Sequence, residues 1–175
     1  MLKRIGSESE RARLAETLKR VDGVVTYQPV KLRDGAVSDY YVDVKKVMGD
    51  PLIRRDTAKI IVRHIGAGAT FVAASGYGGV PLATEISTLA RLPLSMVRDR
   101  EKGHGKGGLV DGFAPTHKDS GIIVDDVLTT GGSIAHTREV LIKNGASVSD
   151  CFVVVNRGDP PLGFDVSYIL KVEDI

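Results

Sequence analysis

Residues 121–134 read Gly-Ile-Ile-Val-Asp-Asp-Val-Leu-Thr-Thr-Gly-Gly-Ser-Ile, and this run restricts what the chain can fold into more than any other. Ile122, Ile123 and Val124 are consecutive, apolar and β-branched, the signature of a strand buried on both faces of a parallel sheet. Asp125 and Asp126 stand where such a strand would leave the sheet, and Thr129, Thr130, Gly131, Gly132 and Ser133 follow. These residues are small, hydroxylated or free of a Cβ. They let backbone N–H groups close around an anion at the N-terminus of a helix beginning near Gly132, where unpaired donors and the helix dipole favour negative charge. Carboxylates beside a phosphate would repel it, so the two acids are read instead as acceptors for a sugar diol or as ligands of Mg²⁺. Phosphate donors beside diol acceptors describe a site for a ribose 5-phosphate. An ordinary strand-turn-helix corner would account for the glycines and hydroxyls, but not for the acid pair in front of them.

From Ile122 to Ser133 the run resembles, position by position, the phosphoribosyl pyrophosphate (PRPP) motif of the type I phosphoribosyltransferases. It is not a Walker A loop, because no Gly-Lys-Ser/Thr follows the glycines. The resemblance implies an α/β fold with a central, mostly parallel sheet flanked by helices and a small hood beside it. It also implies roles. Thr129, Thr130, Gly131, Gly132 and Ser133 would hold the 5′-phosphate, with Val127 and Leu128 beside them among the substrate-binding residues. Asp125 and Asp126 would hold the ribose hydroxyls and serve as candidate ligands of Mg²⁺, partly through water or the substrate.

A chain of 175 residues, 42% hydrophobic and 26% charged, suits one α/β domain over residues 1–175. A formal net charge of +2 fits a polyanionic small substrate and is too weak and dispersed to argue for nucleic acid. Cys151, the sole cysteine, lies against the apolar run 152–155 and reads as a buried thiol, so no disulfide forms within the chain. The N-terminus shows no apolar signal core and no stretch approaches a membrane span, so a cytoplasmic protein without a membrane partner is expected.

In chain order, Ser7 with Glu10 is a capping-box pattern opening an amphipathic helix over residues 8–20. Residues 30–32 and 40–44 read as two strands around the Asp34-Gly35 turn. With the rest of residues 1–45 and the C-terminal segment they would make the hood. Asp50-Pro51 starts a helix that should stop at Gly66 or Gly68. His64 within it reads as a structural histidine. Residues 70–74 are the first core strand, and residues 75–79 a glycine loop before a helix starting near Pro81. Residues 94–97, 148–155 and 168–172 supply further strands, and residues 132–144 a helix.

The Gly78-Gly79-Val80-Pro81 corner is similar to the pyrophosphate loop of orotate phosphoribosyltransferases, which makes Tyr77, Gly78 and Gly79 candidates for pyrophosphate contact. Residues 98–108 hold four glycines and five Arg, Lys or His side chains in eleven positions, a composition costly to order and suited to a mobile lid. The spacing of Arg98, Lys102 and His104 before Gly105 resembles the catalytic loop of the same family, with Arg100 beside it. In that family the loop closes over the active site of the neighbouring subunit, which implies a homodimer. Two positions depart from the family pattern: Asp99 and Gly78 stand where many members carry Lys, leaving Arg100 and Lys106 as candidate substitutes. Arg157, ending the strand over residues 148–155, matches the arginine that recognises the pyrimidine and its carboxylate. Lys31 and Arg33 would share that cationic end with it.

The family reaction joins orotate and PRPP to give orotidine 5′-monophosphate and pyrophosphate, with Mg²⁺. Leaving-group departure puts positive charge on the ribose ring and negative charge on pyrophosphate, so electrostatics and positioning should dominate catalysis. A phosphoribosyltransferase for a purine or another base, or a non-catalytic PRPP or nucleotide sensor on the same fold, are the alternatives.

Overall fold

The computed structural model describes residues 1–31, 37–100 and 108–175. In chain order the elements are β1 (Leu2–Arg4), α1 (Glu8–Arg20), β2 (Val25–Thr26), β3 (Val30–Lys31), β4 (Val37–Ser38), β5 (Tyr41–Val42), α2 (Lys45–Met48), α3 (Pro51–Val62) and β6 (Phe71–Ser75). They continue with α4 (Gly76–Ala90), β7 (Leu94–Val97), β8 (Val110–Gly112), β9 (Ser120–Leu128), α5 (Gly132–Lys143), β10 (Ser147–Asn156) and β11 (Val166–Lys171). A seven-stranded sheet runs β1-β11-β10-β9-β6-β7-β8, parallel at every pairing except β7 with β8. The expected α/β class with a mostly parallel, helix-flanked sheet is thus observed.

Strand alternation divides the apolar runs between two cores, because successive side chains point to opposite faces. Val72, Ala74, Ile122, Val124, Phe152 and Val154 join a core with residues of α1, α3 and α4. Phe71, Ala73, Ile123, Cys151 and Val153 join another with Ile134, Val140 and Leu141 of α5. Burial on both faces is why these strands read as unbroken apolar stretches. Cys151 is 3% exposed, and burial pushes its thiol up to about 12. A thiol reagent is therefore expected to leave the native protein unlabelled and to label it fully in guanidinium. Labelling of the native protein at a free-thiol rate would show that β10 opens.

From β6 the chain goes to β7 on one side and returns to β9 on the other, so the direction of winding reverses between β6 and β9. At that reversal β6 pairs with β9 only as far as Ala73 with Ile123, whereas β10 follows β9 to Leu128. The Asp125 to Leu128 half of β9 has a sheet partner on one side alone, and a crevice opens at the carboxyl ends of the strands, where α/β sheets bind ligands.

Several boundaries differ from the sequence reading. The acid pair lies inside β9 and not at its exit, because pairing with β10 carries the strand four residues past Val124. There is no loop over residues 75–79: α4 starts at Gly76, and Pro81 sits inside the helix. α3 ends at Val62, short of Gly66. Residues 40–44 do not pair with 30–32; β5 pairs with β2, and β3 with β4, forming two short ribbons. The hood is smaller than residues 1–45 plus the C-terminal segment, since β1 and β11 belong to the main sheet and α1 packs on its core. Sheet-edge strands β1 and β8 are too short to show a period in sequence. The Asp34-Gly35 turn falls outside the described residues.

Candidate active site

Both helices facing the crevice begin without a side-chain cap, at Ser75 for α4 and at Gly131 for α5. Of the helices placed elsewhere, α1 and α3 are capped, by the Ser7 and Glu10 capping box and by Asp50 accepting from Leu52 and Ile53, while the four-residue α2 has no side-chain cap. An uncapped first turn keeps backbone N–H groups for an external acceptor. At α5 this depends on Gly131, whose φ of +76° places the backbone in the left-handed region that residues with a Cβ rarely adopt.

A cavity of about 350 Å³ opens on this turn, lined by Asp99, Asp125, residues 127–134 and His136. Thus Val127, Leu128, Thr129, Thr130, Gly131, Gly132 and Ser133, assigned to substrate from sequence, converge on one cavity with Asp125. The Leu128 side chain itself is turned into the α5-side core.

The two acids face different neighbours. Asp125 continues the Ile123 side of β9, toward α5, and lines the cavity. Asp126 continues the Val124 side, toward α4, where its carboxylate lies against Gly78. Each is 8% exposed. Asp125 accepts the Asp126 N–H at 2.9 Å, and Asp126 accepts the Val127 N–H at 3.0 Å. Burial, and then the neighbouring charge of Asp126, push the Asp125 carboxyl well above its ordinary 3.8.

Lys45, at the start of α2, was not picked out from sequence. Its Nζ stands 3.0 Å from Asp43 Oδ1, 3.8 Å from Asp126 Oδ2 and 3.4 Å from the Tyr41 hydroxyl. Partial burial pulls this ammonium's pKa down, but the adjacent Asp43 carboxylate and the charge of Asp126 outweigh it, so it stands above its ordinary value and stays charged. The signal in sequence was the acid-x-Lys spacing of Asp43 and Lys45 after an apolar strand, which has no meaning until the hood folds over β9.

His136 was missed too. From the second turn of α5 its Nε2 donates to the Arg98 carbonyl at 2.9 Å, which ties the end of β7 to the phosphate-site helix. The Arg98 guanidinium is ion-paired with Asp111 and does not line the cavity, whereas Asp99 next to it does. Arg100 is exposed at the end of the described segment. Arg33, Lys102, His104 and Lys106 lie outside the described residues.

Tyr77, Gly78 and Gly79 do not line the cavity. Tyr77 is 92% exposed on the first turn of α4. Gly78 and Gly79 instead let α4 approach β9: a Cβ at 79 would fall 2.6 Å from the Val124 carbonyl oxygen. Arg157 follows β10, with its guanidinium 4.4 Å from the Tyr40 ring centroid. Its Nη2 donates to Ser38 Oγ at 2.6 Å and to the Tyr40 carbonyl at 3.0 Å. Arg157 therefore joins the main sheet to the hood, at the crevice end where the base was expected.

Comparison with known proteins agrees with this geometry. A family model described as a phosphoribosyl transferase domain matches residues 52–165. The orotate phosphoribosyltransferase of Methanothermobacter thermautotrophicus is 36% identical over 151 residues, 86% of this chain and 82% of the relative. That of Methanopyrus kandleri is 33% identical, covering 94% of this chain and 91% of the relative. The crystal structure of orotate phosphoribosyltransferase from Aeropyrum pernix superposes with a TM-score of 0.75 at 30% identity, over 91% of this chain and 94% of that one.

Proposed function

Because this chain belongs to the phosphoribosyl transferase domain family, and among its members to the orotate phosphoribosyltransferases, we propose that it transfers the 5-phosphoribosyl group of PRPP to orotate. The products are orotidine 5′-monophosphate and pyrophosphate, a step of pyrimidine synthesis. The observation that carries this reading is that Asp125 shares one cavity with the uncapped first turn of α5.

The first turn of α5 and the Thr129, Thr130 and Ser133 hydroxyls anchor the 5′-phosphate, which fixes the ribose along β9. Asp125 and Asp126 accept from the ribose hydroxyls and face the ring as it becomes cationic. Fixed charges in a water-poor crevice need no reorganisation at the moment of reaction, which makes them effective there. Arg157, at the hood, offers a planar fork to the carboxylate of the base. Lys102 and His104, with Arg100 at the root of the same segment, meet the departing pyrophosphate. The segment closes over the site of a second subunit in a homodimer.

Mg²⁺ fits the donor set. Among the described residues no group of three or more His, Cys, Asp or Glu side chains converges, so there is no all-protein cage. One or two carboxylates plus substrate oxygens is the arrangement Mg²⁺ favours. When bound, it would neutralise charge on the pyrophosphate. A cytoplasmic location completes the reading; among the described residues, no helix is long and apolar enough to cross a membrane.

The test is the loss of orotate ultraviolet absorbance on mixing protein, orotate, PRPP and Mg²⁺, with adenine, hypoxanthine and uracil in parallel. Orotate is expected to be consumed only when all components are present. Consumption of a purine instead would transfer the reading to another base, and no turnover by protein that binds PRPP would make it a sensor.

A further inference from the structure

Read from sequence, Gly78 leaves the site one positive charge short. The structure leaves no room there for a side chain while Asp126 keeps its rotamer. A Cβ at residue 78 would fall within 2.6 Å of Oδ1, Cγ and Oδ2 of Asp126 together. Turning the carboxylate about its own axis relieves none of this, because Cγ itself is in the way.

Positive charge reaches the same carboxylate from another direction. Lys45 comes from the hood, bridging Asp43 Oδ1 at 3.0 Å and Asp126 Oδ2 at 3.8 Å. The Asp126 carboxylate is then held on three sides: by the Val127 N–H on Oδ1, by Lys45 at Oδ2, and by the α4 backbone at Gly78. Asp125 instead faces the phosphate cavity, with the Lys45 charge acting on it from farther away. The Lys45 side chain is 42% exposed, so the ammonium stands at the crevice rim and is not sealed within the core.

We propose that Lys45 is a positioning residue of this site, holding Asp126 in the orientation in which it accepts from the ribose diol and supplying from the hood a positive charge that Gly78 does not. The proposal rests on the phosphoribosyl-transfer reading. It makes docking of the hood and orientation of the α4-side acid one event, since α2 follows directly on the hood ribbon that carries Tyr41 and Asp43.

The test compares Lys45→Met, which keeps the aliphatic stem against Tyr41 and removes the charge, with Lys45→Arg, which keeps the charge. Lys46→Met is the control, its Nζ being donated to the Asp22 carbonyl at 3.3 Å. Steady-state orotate consumption gives kcat and both KM values, calorimetry gives PRPP affinity, and thermal melting checks the fold. Lys45→Met is expected to lower kcat/KM for PRPP and PRPP affinity by roughly 10- to 100-fold, the range for losing a partner that orients a site ligand. The KM for orotate and the melting temperature should change little, Lys45→Arg should recover most of the loss, and Lys46→Met should match wild type. Lys45→Met equal to wild type in both PRPP measurements would overturn the proposal. So would Lys45→Arg as impaired as Lys45→Met, or an equal loss toward PRPP and orotate, either of which marks a structural role. Wild type that binds PRPP but consumes no orotate would remove the orotate reading and leave PRPP calorimetry to decide on Lys45. Wild type that binds no PRPP would overturn both.

Discussion

Asp125→Asn is expected to lower turnover by on the order of 10²- to 10³-fold, the range for removing one preorganised polar group at a centre of developing charge, and yet to raise the melting temperature at neutral pH. The activity loss follows from position, since Asp125 is the acid that lines the cavity beside the phosphate donors. A neutral amide cannot balance a cationic ribose ring. The stability gain follows from burial. Asp125 is 8% exposed beside another carboxylate, and its folded-state pKa is raised well above 3.8 by burial and then by Asp126.

A group whose folded pKa is raised contributes stability that is fully present below its unfolded pKa and lost as pH rises through the folded one. Wild type is thus penalised at neutral pH by ionising Asp125, and the Asn variant is not. Its amide oxygen can still accept the Asp126 N–H, so the local hydrogen bond survives. The melting-temperature difference between variant and wild type should be smallest near pH 4 and grow toward pH 8. Titrations common to both proteins cancel in that difference. A variant that melts below wild type at pH 8 would show that the Asp125 charge is compensated in the folded protein.

Gly78→Lys is expected to lower activity, although it would restore a lysine that many members of the family carry. Sequence comparison alone suggests the opposite, a gain in pyrophosphate contact. The new Cβ would meet all three carboxylate atoms of Asp126, so the acid must change its first side-chain rotamer or α4 must move away from β9. Helix movement would open the close approach of Gly79 to the Val124 carbonyl. The rotamer change breaks the Lys45 and Val127 contacts that hold Asp126, and overpacking of this kind costs about 1–3 kcal/mol. For a domain of this size that is a melting-temperature loss of roughly 2–10 °C, accompanied by an activity loss of roughly 10- to 100-fold from the displaced acid. Gly78→Ala separates the causes, since it adds the Cβ without the charge. If Gly78→Ala were as active as wild type, the clash would be absorbed elsewhere and the glycine would have no role in placing Asp126.

These two expectations show where local sequence stops being informative. The run from Ile122 to Ser133 contains its own explanation: a two-face-buried strand, a pair of acids, and a glycine that lets α5 begin without a cap. Each depends on residues a few positions apart, and the side-chain period of a strand and the φ of a glycine are local properties. The α/β class, the helix over residues 8–20 with its capping box, and the position of Arg157 after a core strand were legible for the same reason. Helix α4 was less so, because Gly76 to Gly79 look like a loop until β9 offers a surface that only residues without a Cβ can approach.

What the chain determines by itself is the chemistry of one corner: phosphate donors and two carboxylates in a row along β9 and the start of α5. Tertiary structure alone decides that these carboxylates are not equivalent. Pairing with β10 extends the strand through both acids, and alternation then turns Asp125 to the α5 cavity and Asp126 to α4. The hood brings Lys45 to Asp126 from 81 positions away in sequence, and Arg157 to Ser38 and Tyr40 from 119 and 117 positions away. Charge acts through space over a few ångströms, so neither contact leaves a mark in local composition, and both exist only once the sheet and hood have docked.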